Sequence, residues 1–106
     1  MRPAVSPARG GDEYIERICR AVLDSLAGTP ARVYLFGSWA RGTPHRASDV
    51  DIAIDCGSDR ADGKIAALRE FLEESTIPYR VDVVDMRHAS ESLREEIRRE
   101  GVLWKQ

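Results

Sequence analysis

The chain has 106 residues, of which 42% are hydrophobic and 32% charged, and its formal net charge is −2. This length suits one domain, and folding should bury about 65% of the surface of the unfolded chain, enough for one hydrophobic core. The slightly acidic balance argues against a dedicated nucleic-acid binder, which usually presents a basic face. No apolar run approaches about 18 residues, so we expect no membrane span.

Residues 1–11 are rich in proline and glycine and lack the apolar core of a secretory signal. We predict a flexible tail over 1–11 and one folded domain over 12–106. The two cysteines form no Cys-x-x-Cys motif, and a reduced, cytoplasmic setting is the simpler interpretation. The first helix is predicted over 12–27, where an apolar stripe recurs at helical spacing until Gly28 and Pro30 end it. The stripe consists of Ile15, Ile18, Val22 and Leu26.

The first predicted strand, 33–36, leads directly into Gly37-Ser38. After ten intervening residues, Asp49-Val50-Asp51 opens a second strand that continues to Ile54. Glycine lets the backbone approach a phosphate closely. Because side chains alternate along a strand, the two aspartates should project from one face and the apolar residues from the other.

Two carboxylates side by side are an unusual choice for a strand. Asp is poorly suited to strand interiors, and two like charges about 4 Å apart repel by roughly 1–4 kcal/mol, depending on the effective dielectric. A cation between them would relieve that repulsion, and hard oxygen ligands favour Mg²⁺ or Mn²⁺. The segment therefore predicts a phosphate pocket beside a divalent metal.

The next elements are a helix over 62–75 and a β-branched strand over 79–85. The helix should turn Ile65, Leu68, Phe71 and Leu72 inward. Asp82 lies inside the strand, where an acid is again unexpected in a plain core strand. If this strand lies beside the Asp49–Asp51 strand, three carboxylates share one face. They would then form a two-metal site for in-line phosphoryl or nucleotidyl displacement.

A last helix is predicted over 90–100, with Leu93 and Ile97 inward, and 102–104 should fold back onto the core. The first two strands must bring Gly37 and Asp49 to one phosphate site, so they should run antiparallel. A helix-bearing crossover separates the second and third strands, which favours a parallel pair. The predicted fold is α/β, of the α+β type: a small mixed β-sheet flanked by helices.

These motifs resemble the minimal nucleotidyltransferases of the DNA polymerase beta-like superfamily. The resemblance extends over residues 12 to 104 and includes Arg41-Gly42, Ser48 and the run from Glu100 to Trp104. It implies transfer of a nucleoside monophosphate, AMP from ATP, with release of pyrophosphate. It implies nucleotide contacts from Gly37, Ser38, Arg41 and Ser48, and two Mg²⁺ ions (Mn²⁺ as an alternative) held by the catalytic aspartates Asp49, Asp51 and Asp82.

The resemblance also implies a partner. Larger relatives hold the base and acceptor with extra domains, so a second protein or a multimer is expected to bring the acceptor. Minimal nucleotidyltransferases are often paired with a small helical HEPN-type protein, to which AMP is added on a tyrosine. The chain would then act as an antitoxin. Two alternatives stay open: an antitoxin that only masks its partner, and transfer to a small molecule or RNA. Association of the chain with further copies of itself, as a homo-oligomer, stays open as well.

Some motif residues allow a simpler interpretation. Asp49 could cap a turn, and Asp82 could be a solvated edge residue. Arg41 could touch phosphate or could orient the loop through backbone carbonyls. Trp39 is interpreted as loop packing rather than a platform for a base, and Asp85 as a strand-end or turn residue rather than a ligand.

Overall fold

The computed structural model describes residues 13–42, 49–56 and 62–105. The tail predicted over 1–11 and the nucleotide contact predicted for Ser48 lie outside these residues and stay predictions. Within the described ranges, no helix is long and apolar enough to cross a membrane.

The described part of the chain folds into helices and strands that follow the predicted order. The additions are a one-turn helix at Ser38–Arg41, a strand at Val102–Lys105 and a 3₁₀ turn. The helices are α1 (Glu13–Ser25), α2 (Ser38–Arg41), α3 (Asp62–Glu74) and α4 (Glu91–Glu100). The strands are β1 (Arg32–Phe36), β2 (Val50–Asp55), β3 (Val81–Asp85) and β4 (Val102–Lys105), and a 3₁₀ turn at Met86–His88 follows β3.

The strands form one mixed sheet in the order β3-β2-β1-β4. β1 runs antiparallel to β2, and β2 runs parallel to β3, as the sequence predicts. The fourth strand, β4, pairs antiparallel with the other edge of β1. This arrangement brings the end of β1 and the beginnings of β2 and β3 to the same end of the sheet.

Helices cover both faces of the sheet. On one face, α1 and α3 contribute Ile15, Ile18 and Leu68 to a core that also contains Val33 and Ile52. On the other face, Ile97 of α4 packs with Phe36, Ala53 and Met86. Phe71 does not join the core: its side chain is 57% exposed, so its predicted inward position is wrong. The predicted inward positions of Ile65, Leu68 and Leu72 are confirmed, because all three side chains are buried.

Two elements and several boundaries differ from the sequence prediction, and the start of the second strand is the boundary that affects the site. The one-turn helix α2 is too short for a periodic pattern. The sequence predicts only that β4 folds back, because its pairing depends on contact with β1, far away in sequence. The second strand is predicted to include Asp49, but β2 begins at Val50, whose N–H donates to the carbonyl oxygen of Arg80 at 2.9 Å. Strand alternation therefore orients Asp51 but does not extend to Asp49.

Candidate active site

Gly37 brings the end of β1 directly against the carboxylate of Asp51. It has a φ of +78°, in the region that favours glycine. A Cβ at this position would overlap Asp51 Oδ2 and lie 3.2 Å from Asp51 Cγ. Ser38 then starts α2, in which the Arg41 N–H donates to the Gly37 carbonyl oxygen at 3.1 Å. The turn thus places bare backbone beside a carboxylate.

Asp51 and Asp82 lie directly across from each other in the parallel ladder between β2 and β3. Both therefore project from the sheet face that α4 covers further along, and Phe36 pairs with Asp51 from the β1 side. Asp51 is half-buried, whereas Asp49 and Asp82 are exposed. The predicted juxtaposition of acids on neighbouring strands is confirmed for Asp51 and Asp82.

Asp49 lies near enough to Asp51 for its charge to affect the Asp51 carboxyl. Burial, followed by the charges of Asp82 and Asp49, raises the pKa of Asp51 from 3.8 to about 6, and the charge of Arg41 acts in the opposite direction. Keeping Asp51 ionised in the folded protein therefore costs free energy. A bound cation would remove this cost, which is the physical reason why these residues fit a metal.

The three aspartates share one end of the sheet without forming a closed set of ligands. Among the described residues, no three His, Cys, Asp or Glu side chains are grouped closely enough to hold a metal ion. Asp51 and Asp82 face each other across the ladder, while Asp49 precedes the strand and is exposed. Mutual repulsion disfavours a tighter group without a cation. The donor set consists of oxygen atoms only, which fits Mg²⁺ or Mn²⁺ better than zinc.

Arg41 contacts a residue that sequence reasoning did not identify as functional. Its Nη1 atom lies 3.7 Å from Oε1 of Glu100, at the end of α4. This ion pair is neither of the two contacts predicted for Arg41. In the sequence, Glu100 belongs only to the terminal run that resembles the family, and nothing in its local pattern indicates that the end of α4 reaches α2.

Trp39 packs against the apolar core, as its sequence context predicts. Its ring centroid lies 5.2 Å from that of Tyr79 at an angle of 56°. Tyr79 in turn meets Tyr14 of α1 edge-on, with 5.8 Å between the ring centroids. These contacts fasten α2, and with it Gly37, to the segment that leads into β3.

Asp85 serves the fold rather than the site, as predicted. It caps the 3₁₀ turn by accepting hydrogen bonds from the backbone and side chain of Arg87. Burial pushes the pKa of Asp85 upward, but the hydrogen bonds and charge of Arg87 and the charge of His88 outweigh it and hold the pKa below its ordinary value. The charge of Asp85 is therefore compensated by its neighbours within the fold.

The shifted pKa of Asp51 gives a stability prediction for the protein in EDTA. The folded state takes up a proton near pH 6, before the unfolded state does, so stability should rise as pH falls from 7 toward about 5. Asp51→Asn should melt at a higher temperature than wild type at pH 7 and should lack this pH dependence. Thermal unfolding followed by circular dichroism measures both.

Asp85→Asn is the control, because this substitution should change the stability of the fold at pH 7 in the opposite direction. The lowered pKa of Asp85 means that its ionised form stabilises the fold at neutral pH and that this stability is lost as pH falls below its ordinary range. Asp85→Asn should therefore melt at a lower temperature at pH 7. An Asp51→Asn protein that is also less stable than wild type in EDTA at pH 7 would contradict the electrostatic account.

Comparison with known proteins gives a consistent result. Residues 21–105 match the family model described as "Polymerase beta, Nucleotidyltransferase". The protein adenylyltransferase MntA of Shewanella oneidensis (strain MR-1) is 40% identical over 75 residues, which are 68% of this chain and 52% of the relative. The chain thus spans about half the length of that curated relative.

Two solved structures are similar in fold and sequence. A toxin–antitoxin complex with AMP-PNP contains a chain that is 30% identical, with a TM-score of 0.64 over 89% of this chain and 72% of that one. The second structure is a complex of the tri-AMPylated Shewanella oneidensis HEPN toxin with its MNT antitoxin. Its matching chain is 26% identical, with a TM-score of 0.58 over 83% of this chain and 66% of that one.

Proposed function

This chain belongs to the polymerase beta nucleotidyltransferase family, and we propose that it is an enzyme that transfers AMP from ATP to a hydroxyl group. The observation that carries the proposal is the contact between the bare backbone of Gly37 and the carboxylate of Asp51, which has Asp82 beside it on the next strand. This arrangement supports the proposal of a phosphate pocket next to acids that need a cation. The hydroxyl oxygen attacks the α-phosphorus, the bond to the β-phosphate oxygen breaks, and pyrophosphate leaves.

The residues divide this work between them. The backbone at Gly37 and the Ser38 hydroxyl hold the triphosphate, with Arg41 and Ser48 as further nucleotide contacts. Asp49, Asp51 and Asp82 would hold two Mg²⁺ ions, or Mn²⁺. Bound divalent ions supply charge neutralisation to the transferring phosphoryl group.

We assign the proton of the acceptor to Asp82. It lies on the edge strand β3, which neighbours Asp51 on one side, whereas β1 neighbours Asp51 on the other side. The Gly37 turn at the end of β1 would hold the leaving pyrophosphate. In-line displacement requires the attacking oxygen to enter opposite the leaving group. The acceptor would therefore approach from the β3 side, where the Asp82 carboxylate can accept its proton.

The substrate and partner follow from the relatives. One similar structure is a toxin–antitoxin complex with AMP-PNP, an ATP analogue, and another contains a tri-AMPylated HEPN toxin. We take ATP as the nucleotide and a tyrosine hydroxyl of a HEPN-type toxin as the acceptor, so that the chain is an antitoxin. The chain has only two cysteines and they form no Cys-x-x-Cys motif, which suits a reducing cytoplasm.

The test is intact-mass spectrometry of the HEPN-type toxin that we propose as the partner, after incubation with the chain, ATP and Mg²⁺. The partner should gain one or more AMP residues on tyrosine, because docking holds its hydroxyl in line with the α-phosphorus. The chain alone should give little product, and Asp49→Asn should give none.

The masking antitoxin is the competing function, and it is favoured by the fact that the similar structures are complexes of antitoxin with toxin. It predicts a partner that is bound and silenced without a change in mass. Asp49→Asn would then silence the partner as well as wild type does, and the enzymatic proposal would be wrong.

A further inference from the structure

Glu100 has a fixed place beside the proposed nucleotide site. It is the last residue of α4, and the next residue, Gly101, donates its N–H to the carbonyl oxygen of Ile97 at 2.8 Å. A Cβ at Gly101 would lie 2.5 Å from that oxygen and 3.3 Å from Tyr34 Cβ, so the chain passes here in close contact with β1. Val102 then pairs with Leu35, two residues before Gly37.

Arg41 approaches the same place from the other side. It ends the single turn of α2, which starts immediately after Gly37. Its guanidinium lies 3.7 Å from Glu100, and the helix that carries it begins right after Gly37, where a Cβ would overlap the Asp51 carboxylate. Both acids therefore compete for one cationic side chain at the mouth of the site.

Two arginines orient the Glu100 carboxylate. Oε1 faces Arg41 and Oε2 lies 3.6 Å from Nη2 of Arg99. These side chains are between 39% and 66% exposed, so their ion pairs add little to the stability of the fold. These ion pairs can instead determine the orientation of the Arg41 side chain. A guanidinium has five N–H donors in a rigid fork, so an Arg41 held by Glu100 keeps donors for a phosphate.

We propose that Glu100 is a positioning residue that holds Arg41 away from Asp51, so that the aspartates stay open to a cation and the guanidinium stays open to the triphosphate. The inference rests on the proposed function. Without the Glu100 carboxylate, Arg41 would shift toward Asp51 and neutralise it, and both the cation and the triphosphate would lose a partner.

Calorimetric titration with Mn²⁺ and AMP-PNP tests the proposal without any acceptor. Glu100→Gln should weaken binding about tenfold, the loss expected when one charge-assisted contact is misplaced. Glu95→Gln, which changes an exposed acid on the same helix, should bind like wild type. Thermal unfolding should be unchanged in both variants, because Glu100 is partly exposed and glutamine has the same shape.

A double-mutant cycle separates positioning from a direct contact. In an Arg41→Ala background, Glu100→Gln should have no further effect on binding. Equal binding by wild type and Glu100→Gln, or an equal loss with and without Arg41, would overturn the inference while leaving the proposed function intact. A wild-type protein that does not bind Mn²⁺ and AMP-PNP at all would instead refute the proposed function.

Discussion

Asp51→Asn should lower the rate of AMP transfer at least about 10³-fold, which corresponds to about 4 kcal/mol of transition-state stabilisation. Asp51 is the acid that touches the Gly37 turn, faces Asp82 and is half-buried between them. Asparagine keeps the shape but removes the negative charge that would hold a cation. The measurement is transfer of label from ATP labelled at the α-phosphorus to the HEPN-type partner.

Asp55→Asn is the matched control, since Asp55 lies on the same strand and the same face, four residues further along. It should keep turnover near the wild-type value. Equal rates for wild type and Asp51→Asn would show that the cluster of aspartates does not perform the chemistry, whatever its effect on stability.

Gly37→Ala should abolish binding of the triphosphate and destabilise the fold. Two effects add at this position: the residue has a φ of +78°, and a Cβ would overlap the Asp51 carboxylate. Either the turn or Asp51 must move, and both belong to the proposed site. Binding of Mn²⁺ and AMP-PNP, with thermal unfolding of the same samples, measures both consequences.

Gly42→Ala separates the two effects. Gly42 has a φ of +76°, but a Cβ there would meet nothing within 4 Å. It should therefore show only the backbone cost, about 1–2 kcal/mol, and should keep nucleotide binding. Ser38→Ala should weaken binding by one hydrogen bond, about 0.5–1.5 kcal/mol. If Gly37→Ala binds as well as Gly42→Ala, the Gly-Ser pair is only a turn.

The sheet could be predicted because its strands carry local signals. β2 and β3 are short β-branched runs, and the helix between them requires a crossover that favours a parallel pair. The position of Asp82 opposite Asp51 followed from the same reasoning together with the oddity of acids inside strands. The antiparallel pairing of β1 and β2 followed from the need to bring Gly37 and the aspartates together.

What the sequence did not reveal depends on contacts between distant segments. β4 exists because its apolar residues pair with the open edge of β1, and the ion pair between Arg41 and Glu100 depends in turn on β4. The close approach of Gly37 to the Asp51 carboxylate also depends on the folded structure, because the spacing of the motif gives no distance. Phe71 was misplaced because an exposed aromatic residue on a helix looks like part of its apolar stripe.

The most direct test of the central claim is a calorimetric titration of the wild-type chain with AMP-PNP, with Mn²⁺ and then with EDTA. Three carboxylates repel the negative charges of a triphosphate, so the site is expected to hold it only with a cation bound between them. We predict clear binding with Mn²⁺ and at least about tenfold weaker binding in EDTA. Equal affinity under both conditions, or no binding under either, would contradict the account of Asp49, Asp51 and Asp82 as a metal-dependent nucleotide site.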